Sequence, residues 1–375
     1  MKYFLIAGEA SGDMHAARLV EALRERDAEG VFTGLGGDKM QAAGCKLYQH
    51  YSKMAYMGYV AVLAHLGDIR NNIRIAQQAL LSDRPDELIL IDYPGFNLRM
   101  AAFCRKHLPD TRVTYYIPPK IWAWKRWRVH KIGKYCHRIL GIFPFEPAFY
   151  ARYGYECTYV GNPTAEGINR YLSTAKVTAD HSAFTDTPYI VLLPGSRKHE
   201  ISNCLPRMLV GAVQCLEGHP DIRRVVVTTA PGIELAFYEQ FVRDYPQVEL
   251  RSDTYEAVRH AQAAVVNSGT ATLETALLDC PQLAVYHLAG GILLDFMRLI
   301  VLRIPHFTLV NILAERGLIV EMLGRHFTPE AVAHELHRLL SDERYVAQIR
   351  EGYAEIRRLL GTAEAAETAA EIICQ

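Results

Sequence analysis

Four short stretches place reactive side chains where an apolar strand run gives way to a turn, and they set out the chemistry open to this chain. "ELILIDYPGFN" puts Asp92 directly after a buried run. A carboxylate at the C-terminal edge of a strand, walled by apolar neighbours, gains a raised pKa and suits general-base work. The plainer alternative is a loop aspartate that caps the next turn. "GEASGDMHA", residues 8–16, is a second strand-to-helix junction. Glycines there let a ligand approach the backbone, the helix N-terminus favours anions, and Glu9 points into the ligand crevice. The pattern is neither GxGxxG nor GxxxxGK, so dinucleotide and P-loop readings fail; a helix capped by Ser11 or Asp13 is the alternative. In "LLPGSRKHEI", Arg197 follows Gly195 and Ser196, and its guanidinium is placed to clamp a diphosphate or simply to pair with Glu200. In "VVNSGTATLETALLDCP", Ser268, Gly269 and Thr270 leave amides bare at a helix start, which suits a phosphate. Glu274, one turn on, is placed to accept from ribose hydroxyls or only to complement the helix dipole.

A fifth stretch, "PPKIWAWKRWRVHKIGK" (residues 118–134), holds all three tryptophans and six Lys and Arg. No acidic residue lies between Asp110 and Glu146, although the chain as a whole balances 41 basic against 41 acidic side chains. One reading is a helix with its indoles turned inward; another is a single-strand nucleic-acid patch. The third is a local anion site with an amphipathic wall, in which Lys120 and Arg126 supply the cations and Trp122 and Trp124 the apolar surface. Two apolar stretches could face a membrane: "MGYVAVLAHLGDI", with Met57, Val60 and Leu63, and "ILLDFMRLIVLRI", with Arg298 and Arg303. The first reads equally well as a core helix. No metal site is expected, since there is no DxD pair and "HELH" lacks the i, i+4 histidines of HExxH.

The elements that must position these residues follow from the patterning. Short β-rich runs alternate with helical periods, which implies parallel α/β architecture. "KYFLIAG", "VFTGLGG", "ELILID", "VTYYI" and "HRILGIF" read as strands of a first half, and a polar stretch before residue 188 separates it from a second. There "YIVLLPG", "RRVVVTTA", "VELRS", "AAVVNSG" and "QLAVYH" repeat the alternation. A length of 375 residues suits two domains, each Rossmann-like, facing a central cleft. The expected boundaries are 1–165, 166–345 and a helical 346–375 that packs back on the first domain. Eight scattered cysteines without CxxC fit reduced thiols, and no apolar run reaches transmembrane length. A cytoplasmic protein, peripheral on a membrane, is the expectation, and zero net charge argues against a general polyanion binder.

In this order the motifs resemble those of the lipid-A-disaccharide synthase family. The matching stretches are "AGEASGD", "GCKLYQHYSKMAYMGYVAVL", "IDYPGFN", "IPPKIWAWKRWRVHKIGK", "FPFEPAFYARYG", "VGNP", "LLPGSR", "SGTATLE" and "NILAERGLIVEML". The resemblance implies a GT-B glycosyltransferase fold, with the first domain on the acceptor side and the second binding a UDP-sugar. It implies metal-independent, inverting transfer from UDP-2,3-diacylglucosamine to 2,3-diacylglucosamine 1-phosphate (lipid X), with no cofactor. The product is the β-1,6 tetraacyl disaccharide 1-phosphate of lipid A (lipopolysaccharide) biosynthesis, with release of UDP. By position, Asp92 matches the base for the acceptor hydroxyl, Glu9 an acid near the donor sugar, and Arg197 the group that stabilises the leaving diphosphate. Glu274 matches a ribose-binding acid and Asn311 a polar residue near the donor. The resemblance further implies the cytoplasmic face of the inner membrane and a homodimer with exchanged C-terminal segments. Gly95, where the family often has an acid, Ala16, where glycine is common, and "TLVN" in place of "SLPN" depart from the pattern. Other UDP-sugar GT-B enzymes remain alternatives, namely a lipid-II-forming transferase or a UDP-GlcNAc 2-epimerase. A non-catalytic RNA- or membrane-binding protein is the alternative of a different class.

Overall fold

The computed structural model describes residues 1–54, 66–175, 187–267, 269–287 and 306–375. Its contacts divide the chain into two compact units, Met1–Glu166 with Thr362–Gln375, and Gly167–Gly361. The first unit is built on seven strands: β1 (Lys2–Ala7), β2 (Val31–Gly36), β3 (Lys46–His50), β4 (Glu87–Ile91), β5 (Arg112–Tyr116), β6 (Arg138–Gly141) and β7 (Thr158–Tyr159). They lie in the order β3-β2-β1-β4-β5-β6-β7, all parallel. A parallel sheet is covered on both faces, so its central strands are near-continuous apolar runs, and β4 is buried along its whole length. Chain direction across the sheet reverses between β1 and β4, which makes the carboxyl ends of those strands the switch point where such folds bind ligands.

The second unit repeats the plan with β8 (Tyr189–Leu193), β9 (Arg224–Thr228), β10 (Val248–Arg251), β11 (Ala263–Asn267), β12 (Gln282–Tyr286) and β13 (Glu321–Leu323). Their order is β10-β9-β8-β11-β12-β13, again parallel, with the switch point between β8 and β11. Three strands escape the apolar pattern: β3 and β13 at sheet edges and the two-residue β7. They are short, of two to five residues, and β3 and β7 have no fully buried residue, so no apolar run marks them.

The C-terminal helices divide between the units, which corrects the expected third segment of 346–375. Helix Glu343–Leu360 belongs to the second unit, where Tyr353 is fully buried and bonds to Gln282 of β12. Only helix Ala365–Cys374 returns to the first unit. Its Ala366, Ala369, Ala370 and Ile373 join the core beside Leu19, Val20 and Leu23 of helix Ala10–Arg26. Glu166 accepts the Ala365 N–H at 3.1 Å. Gly161 is required where this segment crosses, since its φ is +104° and an added Cβ would sit 2.5 Å from the Ala363 carbonyl oxygen.

Candidate active site

In the first unit, the stretches carrying the sequence motifs leave the same edge of one sheet. Ala7 of β1 registers with Ile91 of β4, and Ile91 with Tyr116 of β5. Glu9, Asp92 and the 117–124 loop therefore follow three neighbouring strand ends. Glu9 is half-buried at the entrance to helix Ala10–Arg26 and does not cap it. Asp13 is buried and serves another helix, accepting the N–H groups of Gly37 (2.7 Å), Lys39 and Met40 (both 3.1 Å) at the start of helix Asp38–Ala42. The glycine of the first motif has its own reason: a Cβ on Gly8 would lie 2.3 Å from the Tyr93 ring.

Asp92 sits in a strained turn. Its φ is 42°, that of Tyr93 is 43°, and Ile117 across from it has 58°. Non-glycine residues adopt this region only where their surroundings compel it, at about 1–3 kcal/mol each. Here buried Asn97 donates through Nδ2 to the carbonyls of Ile91 (3.1 Å) and Asp92 (2.7 Å). The Tyr115 hydroxyl donates to the Asp92 carbonyl at 2.6 Å, and Asp92 N–H donates to the Ile117 carbonyl at 3.1 Å. The Asp92 side chain keeps solvent-exposed area, yet the protein around it desolvates the carboxylate and raises its pKa. The Lys120 charge and the Tyr93 N–H oppose that rise. Lys120 is likewise open by area, but desolvation lowers its pKa against the pull of Asp92 and Glu146. A poised carboxylate beside an ammonium is suited to accept a hydroxyl proton. Gly95 is exposed with no atom within 4 Å of an added Cβ, so no neighbour excludes the acid often found there.

The three tryptophans separate. Trp122 is 7% exposed, packed edge-on against Phe143 and Phe145. Trp124 and Trp127 are 46% and 56% exposed, which rules out indoles turned inward for both. Lys125 lies 4.0 Å from the Trp124 ring centroid, and Lys131 and Arg128 stand 5.2 and 5.7 Å from that of Trp127. Arg126 donates through Nε to the Trp122 carbonyl at 3.2 Å. The sequence reading assigned no role to Glu146. It is 1% exposed, accepts the N–H groups of Ile142 and Phe143, and burial pushes its pKa up to about 7. It is the first acid after a stretch of basic residues, but nothing in that pattern marks it as buried.

In the second unit, a cavity of about 550 Å³ opens at the β8–β11 switch point. It is lined by Gly195, Ser196 and Arg197 after β8, Thr228 and Thr229 at the end of β9, Asn267 at the end of β11, and Gly269, Thr270 and Glu274 beyond it. Gly195 has φ +120°, and a Cβ there would come within 2.6 Å of Asn267 Nδ2. Arg197 begins helix Lys198–Leu216 and is exposed, meeting Glu200 at 3.4 Å. Such an exposed pair is weak and yields to a better anion. Helix Thr270–Leu277 has no side-chain cap. Glu274 accepts the Tyr255 hydroxyl at 3.0 Å, and desolvation raises its pKa. Asn267 and the β9 threonines were missed because strand-end polar residues carry no motif; the topology alone singles them out.

Asn311 is placed differently from the expectation of a polar group at the donor. It is 1% exposed; Nδ2 donates to the Ile319 carbonyl, and Oδ1 accepts the N–H groups of Leu318 and Ile319. It staples the 315–319 loop and does not line the cavity. Met57, Val60 and Leu63, the "ILLDFMRLIVLRI" stretch and Ser268 lie outside the described residues. Among the described residues no cluster of His, Cys, Asp or Glu is arranged to hold a metal, all eight cysteines are free, and no helix is long and apolar enough to cross a membrane.

The family model for lipid-A-disaccharide synthetase matches residues 3–373. The chain belongs to the lipid-A-disaccharide synthase family. A lipid-A-disaccharide synthase of Geobacter sulfurreducens is 33% identical over 375 residues, covering all of this chain and 97% of the relative. Another, of Trichlorobacter lovleyi, is 35% identical, covering 96% of this chain and 93% of the relative. Among solved structures, UDP-GlcNAc 2-epimerase from Neisseria meningitidis bound to UDP-GlcNAc superposes with a TM-score of 0.66 at 11% identity, covering 100% and 99% of the two chains. CalG4, the calicheamicin glycosyltransferase, gives 0.57 at 16%, covering 99% and 98%. At these identities the likeness is one of fold, with two parallel α/β units of the GT-B type. Family membership makes the chain a glycosyltransferase of lipid A biosynthesis and sets aside the epimerase and lipid-II readings.

Proposed function

We propose that this chain transfers 2,3-diacylglucosamine from its UDP donor to the 6-hydroxyl of 2,3-diacylglucosamine 1-phosphate, with inversion and without a metal. The observation that carries the reading is the 550 Å³ cavity at the second unit's switch point, of a size suited to a nucleotide. Arg197 and the uncapped helix start at Gly269 and Thr270 hold the diphosphate, with Ser196, Gly195 and Ser268 supplying the close turn, and Glu274 accepts from the ribose. Asn311 supports this site through its loop. Glu9 stands near the donor sugar.

Asp92 takes the proton from the acceptor hydroxyl. The acceptor oxygen bonds to the anomeric carbon, the bond from that carbon to the phosphate oxygen breaks, and its electron pair leaves on UDP. Guanidinium and backbone N–H groups stabilise that developing charge. Lys120 and Arg126 balance the acceptor's phosphate, Trp122 and Trp124 flank its sugar or acyl chains, and Met57, Val60 and Leu63 face the lipid. The exposed Trp124 and Trp127 with their cations support peripheral binding to an anionic membrane, the cytoplasmic face of the inner membrane in this reading. Arg197→Ala and Asp92→Ala are each expected to lower turnover by about a hundredfold or more. A near-wild-type rate in either variant removes that residue from the mechanism.

A further inference from the structure

We propose that Glu146 is a positioning residue for the acceptor site, locking the 142–146 turn into an aromatic platform that carries Lys120 and Trp122 beside Asp92. The inference rests on reading Asp92 and Lys120 as acceptor-side groups. It also gives a role to two motifs that the reaction leaves unused, "FPFEP" and "VGNP".

The platform is built in layers. Phe143 and Phe145 stack with centroids 5.6 Å apart and planes 7° from parallel. Trp122 meets both edge-on, at 5.9 and 5.1 Å, and Lys120 Nζ lies 5.9 Å from the Phe143 centroid. Two buried side chains pin the turn beneath. Glu146 Oε2 accepts the N–H of Ile142 at 2.8 Å and of Phe143 at 2.9 Å. Asn162 donates to the Ile142 carbonyl at 2.9 Å, while its Oδ1 accepts the N–H groups of Thr164 and Ala165. The fit around Glu146 is close, since a Cβ on Gly141 would stand 2.8 Å from Oε2. The Trp122 Nε1 atom is shielded from solvent with no hydrogen-bond partner in place, and Glu146 is the carboxylate whose titration it would feel. Lys120 feels the charges of both Asp92 and Glu146.

The groups that face Glu146 are Lys120 and Trp122 from that loop, Tyr150 from its own helix, Cys157, and Tyr159 of β7. Cys157 and Tyr159 are pushed up to about 12 and Tyr150 is raised further, so none of these three changes charge near neutrality. Replacing Trp124 and Trp127 by Phe leaves Trp122 as the sole indole. Its emission should then titrate with a midpoint near neutral pH, and Glu146→Gln should abolish that step. In steady-state kinetics Glu146→Gln should raise the acceptor KM about tenfold while leaving the donor KM unchanged. Glu146→Asp, which keeps the acceptor oxygens, should recover part of the loss. Phe143→Leu, which removes the ring under Lys120 without deleting the turn's bonds, should reproduce the acceptor effect even if Glu146→Gln fails to fold. An unchanged titration in Glu146→Gln, or a loss shared by both substrates, overturns the proposal. Absence of any transfer by the parent protein sinks the proposed reaction instead, while the fluorescence titration still decides whether Glu146 governs Trp122.

Discussion

Asp92 and Glu146 are both carboxylates with raised pKa values, but burial has opposite uses in the two. Asp92 keeps an exposed face, which leaves its carboxylate open to the acceptor hydroxyl of the proposed reaction. Glu146 is enclosed, and its shift must appear in stability. Its ordinary value of 4.5 is raised to about 7 in the fold. Between those values the folded chain holds a proton that the unfolded chain has released, so stability falls as pH rises through that window. The full effect is on the order of 3 kcal/mol. Denaturant unfolding of the first unit should therefore show a lower midpoint near neutral pH than near pH 5, and Glu146→Gln should flatten that difference. An unchanged slope in the variant would show that Glu146 is not the group responsible. Asp92 was legible because it follows an apolar run directly. Glu146 was not, since a glutamate next to proline reads as a helix start, and only the tertiary fold turns Lys120 and Trp122 towards it.

At the scale of elements, glycine turns and strand runs were readable because parallel sheets demand apolar strands and tight exits at their carboxyl ends. What the pattern left open was which turn is strained. The "DYPGFN" motif places consecutive left-handed residues at Asp92 and Tyr93, and Asn97 holds them from the following helix. Asn97→Ala should remove the side-chain donor from the buried Ile91 carbonyl and one of the two donors of the Asp92 carbonyl, at about 1–3 kcal/mol in all. The expected result is a clear loss of thermal stability together with a fall in kcat, because the turn carrying the base relaxes. Wild-type kcat in a destabilised Asn97→Ala protein would show that the strained turn does not aim Asp92. The tryptophan segment shows the opposite limit. Its composition announced an amphipathic surface, but loop geometry decided that Trp122 is buried and Trp127 is not, and no periodicity encodes that choice.

Across the whole molecule, the two sheets share one order over six strands, the first unit adding β7, each offers a switch point, and the proposed reaction uses both. In that proposal the first unit contributes Asp92 and the exposed cation–indole surface, and the second contributes the cavity that would take the nucleotide. The C-terminal helices divide between the units after residue 361, because a helical pattern does not say which core its apolar face will join. Alanine-rich Ala365–Cys374 fits closely against Ala10–Arg26, whereas Glu343–Leu360 brings Tyr353 and Ile356 to the second core. The exposed surface predicts sedimentation with vesicles of phosphatidylcholine and phosphatidylglycerol, and little with phosphatidylcholine alone. Lys131→Gln should weaken that binding about fivefold, as expected for one cation near an anionic surface. Equal binding to both vesicle types, or a preference for single-stranded RNA, would contradict the membrane reading.

The most direct test of the central claim is to incubate the purified protein with UDP-2,3-diacylglucosamine and 2,3-diacylglucosamine 1-phosphate in the presence of EDTA, and to analyse the products by mass spectrometry and NMR. The account predicts UDP and a tetraacyl disaccharide 1-phosphate with a β-1,6 linkage, formed at the rate seen without chelator. An α linkage, a requirement for divalent metal, or no disaccharide at all would contradict it.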